Sequence, residues 1–171
     1  MIGGSSGFHN KVLKVLPETI GDLENLKELY LEKCKALQGL PVSIGNLQRL
    51  SILSMKECKS VEGLPHTIGN CTMLVELNLL KCTALKSLPK SIGKLIMLED
   101  LILGKCKMLC ALPSTVPLLR NLVILDIHQC ESLVGLPTAM FDLPLLRRVD
   151  ASGCHASILQ QIPNSLRQAT K

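Results

Sequence analysis

Leu98-Glu99-Asp100-Leu101-Ile102-Leu103-Gly104-Lys105-Cys106 is a nine-residue frame, L-x-x-L-x-L-x-x-C, and its reading decides the rest of the chain. Within it Leu101 and Leu103 alternate with variable residues, the period of a short strand with one buried face. Just before it, Leu88-Pro89-Lys90-Ser91-Ile92-Gly93-Lys94-Leu95 turns the chain at Pro and Gly, and Ile92 and Leu95 face back inward. Both pieces recur. Leu-Pro stands at 16–17, 40–41, 64–65, 88–89, 112–113 and 136–137, and Cys at 34, 58, 82, 106, 130 and 154, every step being 24. The frames ahead of the cysteines run from Leu26, Leu29, Leu31 to Leu146, Val149, Ala151 in one phase. One coil cannot bury its leucines alone, but stacked coils can, so the period predicts a solenoid with a parallel sheet on its concave side.

Composition agrees. The 171 residues are 47% hydrophobic with 35 leucines but only 2% aromatic, so the core is built from many similar aliphatic side chains. No apolar run reaches the roughly 18 residues of a membrane span. Met1 to Gly7 lack the charged and apolar regions of a secretory signal. A net charge of +5 is too mild to indicate nucleic acid by itself. The regular register covers residues 10–160. Residues 1–9 read as a linker or the start of a fragment, and 161–171 as a polar tail, because Ile162-Pro163 falls two residues out of step. Asn10, Leu13 and Leu16-Pro17 supply half a coil without an evident N-terminal cap, which suggests a domain cut from a longer protein.

Six of the eight cysteines form one column. Parallel Cβ vectors at the ~4.8 Å strand spacing suit neither a disulfide nor a metal cluster, so buried free thiols are expected. Cys71 replaces a core leucine, whereas Cys110 shares a column with Gln38, Glu62 and Lys86 and is expected at the surface. A set of Cys106, Cys110 and His128 lacks metal-site spacing. So many free thiols favour a reducing, cytoplasmic compartment.

The frame matches the leucine-rich-repeat signature: an α/β-type, right-handed coil of about six 24-residue repeats. Leu40-Pro41-Val42-Ser43-Ile44-Gly45-Asn46-Leu47 and its counterpart at 88–95 resemble the repeat region of plant intracellular nucleotide-binding leucine-rich-repeat immune receptors. The resemblance implies a sensing and autoinhibitory surface for a protein partner, pathogen-derived, host or a neighbouring domain. The rival is a stand-alone scaffold for signalling proteins. Thr115-Val116-Pro117 and Ala139-Met140-Phe141 depart from S-I-G, so the convex side should change shape there.

Function should lie in the positions that vary. Glu28, Tyr30, Glu32, Ile52, Ser54, Lys56, Glu76, Asn78, Leu80, Asp100, Ile102, Ile124, Asp126, His128, Arg148 and Asp150 point away from the core and vary along the stack, as a partner-binding face requires. Ile52, Leu80, Ile102 and Ile124 put an apolar centre on four successive strands. Asp126, His128 and Ser152 spell an acid, a base and a nucleophile, with Asp150 beside Asp126 as a like charge able to raise a pKa. An open sheet lacks oxyanion donors and admits water, so neither catalysis nor a small-molecule substrate or cofactor is expected. The lysine columns (11, 35, 59 and 107; 33, 81 and 105) carry no stacking aromatics and are broken by Glu57 and Glu131, so nucleic acid is not the expected partner.

Overall fold

The alternation in each frame becomes a three-residue strand in the computed structural model, which describes residues 10–167. The strands are β1 (Glu28–Tyr30), β2 (Ile52–Ser54), β3 (Glu76–Asn78), β4 (Asp100–Ile102), β5 (Ile124–Asp126) and β6 (Arg148–Asp150). They form one parallel sheet in chain order, with Leu29, Leu53, Leu77, Leu101, Leu125 and Val149 in register. The open sheet is stacked against a continuous aliphatic core in which Leu53, Leu77, Leu101 and Leu125 are wholly buried. Among the described residues no helix is long and apolar enough to cross a membrane.

Past β1 to β5 the ladder continues to the next coil before the chain turns. The N–H of Lys33 donates to the Lys56 carbonyl at 2.7 Å, and Lys105 donates to that of His128 at 2.6 Å. The donors in this column, Lys33, Glu57, Lys81, Lys105 and Gln129, all hold φ between 53° and 64°. That left-handed step swings the following cysteine inward. Its thiol then donates to a carbonyl of the preceding coil: Cys58 to Leu31 at 2.9 Å, Cys82 to Met55 and Cys106 to Leu79 at 3.2 Å. All eight cysteines are free, with Cys71 in the core and Cys110 exposed, as the columns predict. Burial pushes the Cys58, Cys82 and Cys130 thiols up to about 12.

On the far side of each coil the L-P-x-S-I-G segment forms a 3-10 turn entered through proline, as at Val42–Asn46 after Pro41 and Lys90–Lys94 after Pro89. The turns touch through their smallest residues. A Cβ on Gly69 would lie 2.5 Å from the Ser91 carbonyl oxygen of the next coil. The departure at 115–117 does change this side: there the turn shrinks to the three residues Val116–Leu118.

The two ends differ. Beyond Cys154 the chain forms helix α1 (Ala156–Gln161) and a 3-10 turn at Asn164–Leu166, and Arg167 bridges to Val149. Ile158 and Ile162 are buried and Leu166 packs against the core. Residues 161–167, read from sequence as the start of a tail, therefore cover the last coil, because apolar side chains at four-residue spacing replace the 24-residue rhythm. At the other end Val12 and Val15 are 81% and 64% exposed, and Leu29 and Leu31 keep 7% exposure where the next four coils keep none. The expected linker at 1–9 lies outside the described residues, as do 168–171.

Candidate functional site

The open side of the sheet carries three rows of variable side chains. The first is Glu28, Ile52, Glu76, Asp100, Ile124, Arg148, and the second Tyr30, Ser54, Asn78, Ile102, Asp126, Asp150, both aligned by the strand register. A third row, Glu32, Lys56, Leu80, Gly104, His128, Ser152, follows just beyond the strands. Ile52, Leu80, Ile102 and Ile124 are half-buried members of this face, not of the interior. Tyr30 and Glu28 are exposed at one end, with the tyrosine hydroxyl donating to Glu28 at 3.2 Å. Ser54 departs from the expectation of an available contact. It is 2% exposed and donates its hydroxyl to Glu32 at 2.9 Å, so it positions that carboxylate.

Three second-row side chains are partly spent on their own strands. Asn78, Asp126 and Asp150 each accept, through Oδ1, the backbone N–H two residues on, at 3.0–3.2 Å. This Asx bond ends the strand and fixes the direction of the third-row side chain. At the fifth coil the fixing is tighter still, since His128 Nδ1 lies 2.6 Å from Asp126 Oδ1. Its ring rests on Gly104, where a Cβ would collide with the ring atoms. Gly104 was legible only as a missing side chain in the third row; its use as a seat for the imidazole depends on the neighbouring coil.

The acid–base–nucleophile set does not assemble. The Ser152 hydroxyl donates to Asp150 at 2.8 Å, not to His128. The like charge of two adjacent aspartates can raise the pKa of one of them. Burial does push Asp150 up, but donors on Ser152 and Arg148, with His128 close by, outweigh it and hold the carboxyl below its ordinary value. Asp126, His128 and Asp150 do bring potential metal-ligating atoms within 4.8 Å of one another. Those groups already take bonds from the His128 N–H, Ser152 and Arg148, which an ion would have to displace. Cys106 is not among them, because its buried thiol turns to Leu79.

At the centre of the face the electrostatics are different. Glu76 and Asp100 are partners across β3 and β4, both half-buried, and among the described residues no salt bridge reaches either. Burial raises the Asp100 carboxyl, and Glu76 and Glu99 add to the shift. At the lysine edge, by contrast, Lys81 pairs with Glu57 at 3.3 Å and Lys107 with Glu131 at 2.8 Å, so that stripe is interrupted by its own acids.

No family model matches the chain, and no curated protein is similar to it. Solved structures do share its fold. A leucine-rich-repeat protein of Leptospira interrogans matches with 29% identity and a TM-score of 0.58, over 85% of this chain and 48% of that one. The ectodomain of the Arabidopsis thaliana receptor kinase GASSHO1/SCHENGEN3, in complex with CASPARIAN STRIP INTEGRITY FACTOR 2, matches with 26% identity and a TM-score of 0.63, over 83% of this chain and 17% of that one. The plant peptide hormone receptor RGFR1, in complex with RGF2, matches with 29% identity and a TM-score of 0.50, over 74% of this chain and 24% of that one. The chain thus spans about half the length of the first of these and far less of the others. With its six-stranded open sheet and 24-residue register, it has the fold of a leucine-rich-repeat solenoid.

Proposed function

We propose that this chain is the protein-recognition region of a plant-type disease resistance receptor, sensing a protein partner on the open face of its sheet. The observation that carries the reading is the half-exposed cluster Ile52, Leu80, Ile102 and Ile124 on four successive coils, ringed by charged side chains. A wholly buried column in the same fold repeats its leucines, whereas the rows of this face vary along the stack, with only Asp126 and Asp150 alike on neighbouring coils. An apolar centre within a polar rim is the usual layout of a binding patch. The complexes of GASSHO1/SCHENGEN3 and RGFR1 support a protein or peptide partner for this fold. The L-P-x-S-I-G turns support the intracellular receptor class, and the buried free thiols support a cytoplasmic setting, where such groups stay reduced.

Ile102→Thr is the test. It keeps a β-branched residue and adds no charge, but removes the apolar anchor at the centre. Immobilised wild-type chain is expected to capture a protein from reducing plant-cell extract, and Ile102→Thr to weaken that capture about tenfold, the effect of losing an anchor worth roughly 1.4 kcal/mol. The melting temperature should stay within about 2 °C. Undiminished capture by the variant would sink the reading. A nucleotide-binding domain in the same full-length product would favour the receptor over a stand-alone scaffold.

A further inference from the structure

The face holds six of the chain's fourteen acids but only Lys56 and Arg148 of its nineteen lysines and arginines. With His128 neutral, its charge is −4 on a protein whose total is +5. Most of these acids are already engaged. Asp150 holds Arg148 at 3.3 Å, Asp126 lies against His128, Glu28 takes the Tyr30 hydroxyl and Glu32 that of Ser54. What remains is the central pair. Glu76 receives only a long, 3.4 Å bond from Asn78, and among the described residues no cation pairs with Asp100. Ile52 and Ile124 flank the pair in the first row, and Ile102 sits one row across on β4.

We infer that this face takes a basic, extended protein segment, with one arginine or lysine head group between Glu76 and Asp100 and its stem over the surrounding isoleucines. The inference rests on the binding-face reading and names the chemistry of the partner. Two half-buried carboxylates on adjacent strands repel each other in the free protein, and a cation between them relieves that repulsion. A guanidinium fork suits two acceptors, and the aliphatic stem of either residue packs on apolar surface while its head stays polar. Six strands at ~4.8 Å span about 24 Å, the reach of about seven extended residues. A face of net negative charge on a cationic protein draws a basic segment towards the sheet. A phosphate backbone is turned away by the same acids.

The test uses the intact chain and three synthetic peptides of about ten residues with identical Leu and Ile positions. The intervening residues are Arg and Lys in one, Glu in the second and Ser in the third. Titration calorimetry should show one-to-one binding of the basic peptide, about tenfold tighter than the serine peptide and weakened near 0.3 M salt, with no binding of the glutamate peptide. The double variant Glu76→Gln/Asp100→Asn should lose about tenfold in affinity for the basic peptide while melting no lower than wild type, since it removes a repulsive pair. Glu24→Gln, at an exposed acid off the face, should leave affinity unchanged. The inference falls if the basic peptide binds no tighter than the serine peptide, or if the double variant binds like Glu24→Gln. Equal binding of basic and serine peptides, both weakened by Ile102→Thr, would overturn the charge assignment alone. Extract capture that survives Ile102→Thr would instead remove the binding face itself.

Discussion

Lys105 shows how much a single backbone angle does here. Its φ of 64° lies where side chains with a Cβ are disfavoured by roughly 1–2 kcal/mol. The chain accepts that cost because the step keeps the Lys105 N–H on the His128 carbonyl and turns Cys106 into the core, where its thiol reaches Leu79. Lys105→Asn and Lys105→Val both remove the charge, but only Asn tolerates the left-handed region well. Calorimetric unfolding is expected to place Lys105→Val about 1 kcal/mol below Lys105→Asn; equal stabilities would mean the conformation costs nothing. Sequence does not reveal this column. Lys33, Glu57, Lys81, Lys105 and Gln129 are not the residues that announce positive φ, and only Gly153, at 73°, has the expected type.

At the scale of the element, the 3-10 turn explains why L-P-x-S-I-G is written with small residues. Thr67 and Thr115 each donate a hydroxyl to a carbonyl of the preceding coil, to Val42 at 2.6 Å and Lys90 at 2.7 Å. Ser43 and Ser91 occupy the same place, yet their buried hydroxyls find no partner. A β-branched side chain restricts the hydroxyl to fewer rotamers, and the turn already accommodates threonine in two neighbouring coils. Ser91→Thr is therefore expected to gain about 1 kcal/mol through a bond to the His66 carbonyl region of the preceding turn. A melting temperature unchanged or lowered would show that the extra methyl cannot be seated beside Gly69. The turn's position was legible from Pro and Gly; its hydroxyl bonds were not, because donor and acceptor lie 25 residues apart.

For the whole molecule the issue is how a stack of equivalent coils ends. Each coil rests only on its neighbours, so a terminal coil needs a cover. Helix α1 supplies it at the C-terminal end through Ile158, which is fully buried. Ile158→Ala should lower unfolding stability by about 3 kcal/mol in denaturant titration, by lost burial and a residual cavity. Val134→Ala, at a valine 76% exposed, should change it by less than about 0.5 kcal/mol. A small effect at Ile158 would mean that the last coil stands without its cap. The same scale organises the charge, with acids outnumbering bases on one face of a cationic protein, an imbalance that net charge conceals.

The repeating residues by themselves determined the coil, the register of the strands, the buried thiol column and which positions face outward. They could do so because burial of one side chain per position, repeated every 24 residues, leaves its mark directly in the residue types. The remainder was decided by contacts between coils, which no local pattern records. Those contacts bury Ser54 under a hydrogen bond to Glu32, seat His128 on Gly104, turn Ser152 to Asp150 rather than to an imidazole, and fold α1 over the open end. They also leave Glu76 and Asp100 side by side with no cation paired to them among the described residues, because the strand register brings together charges that lie 24 residues apart in the chain.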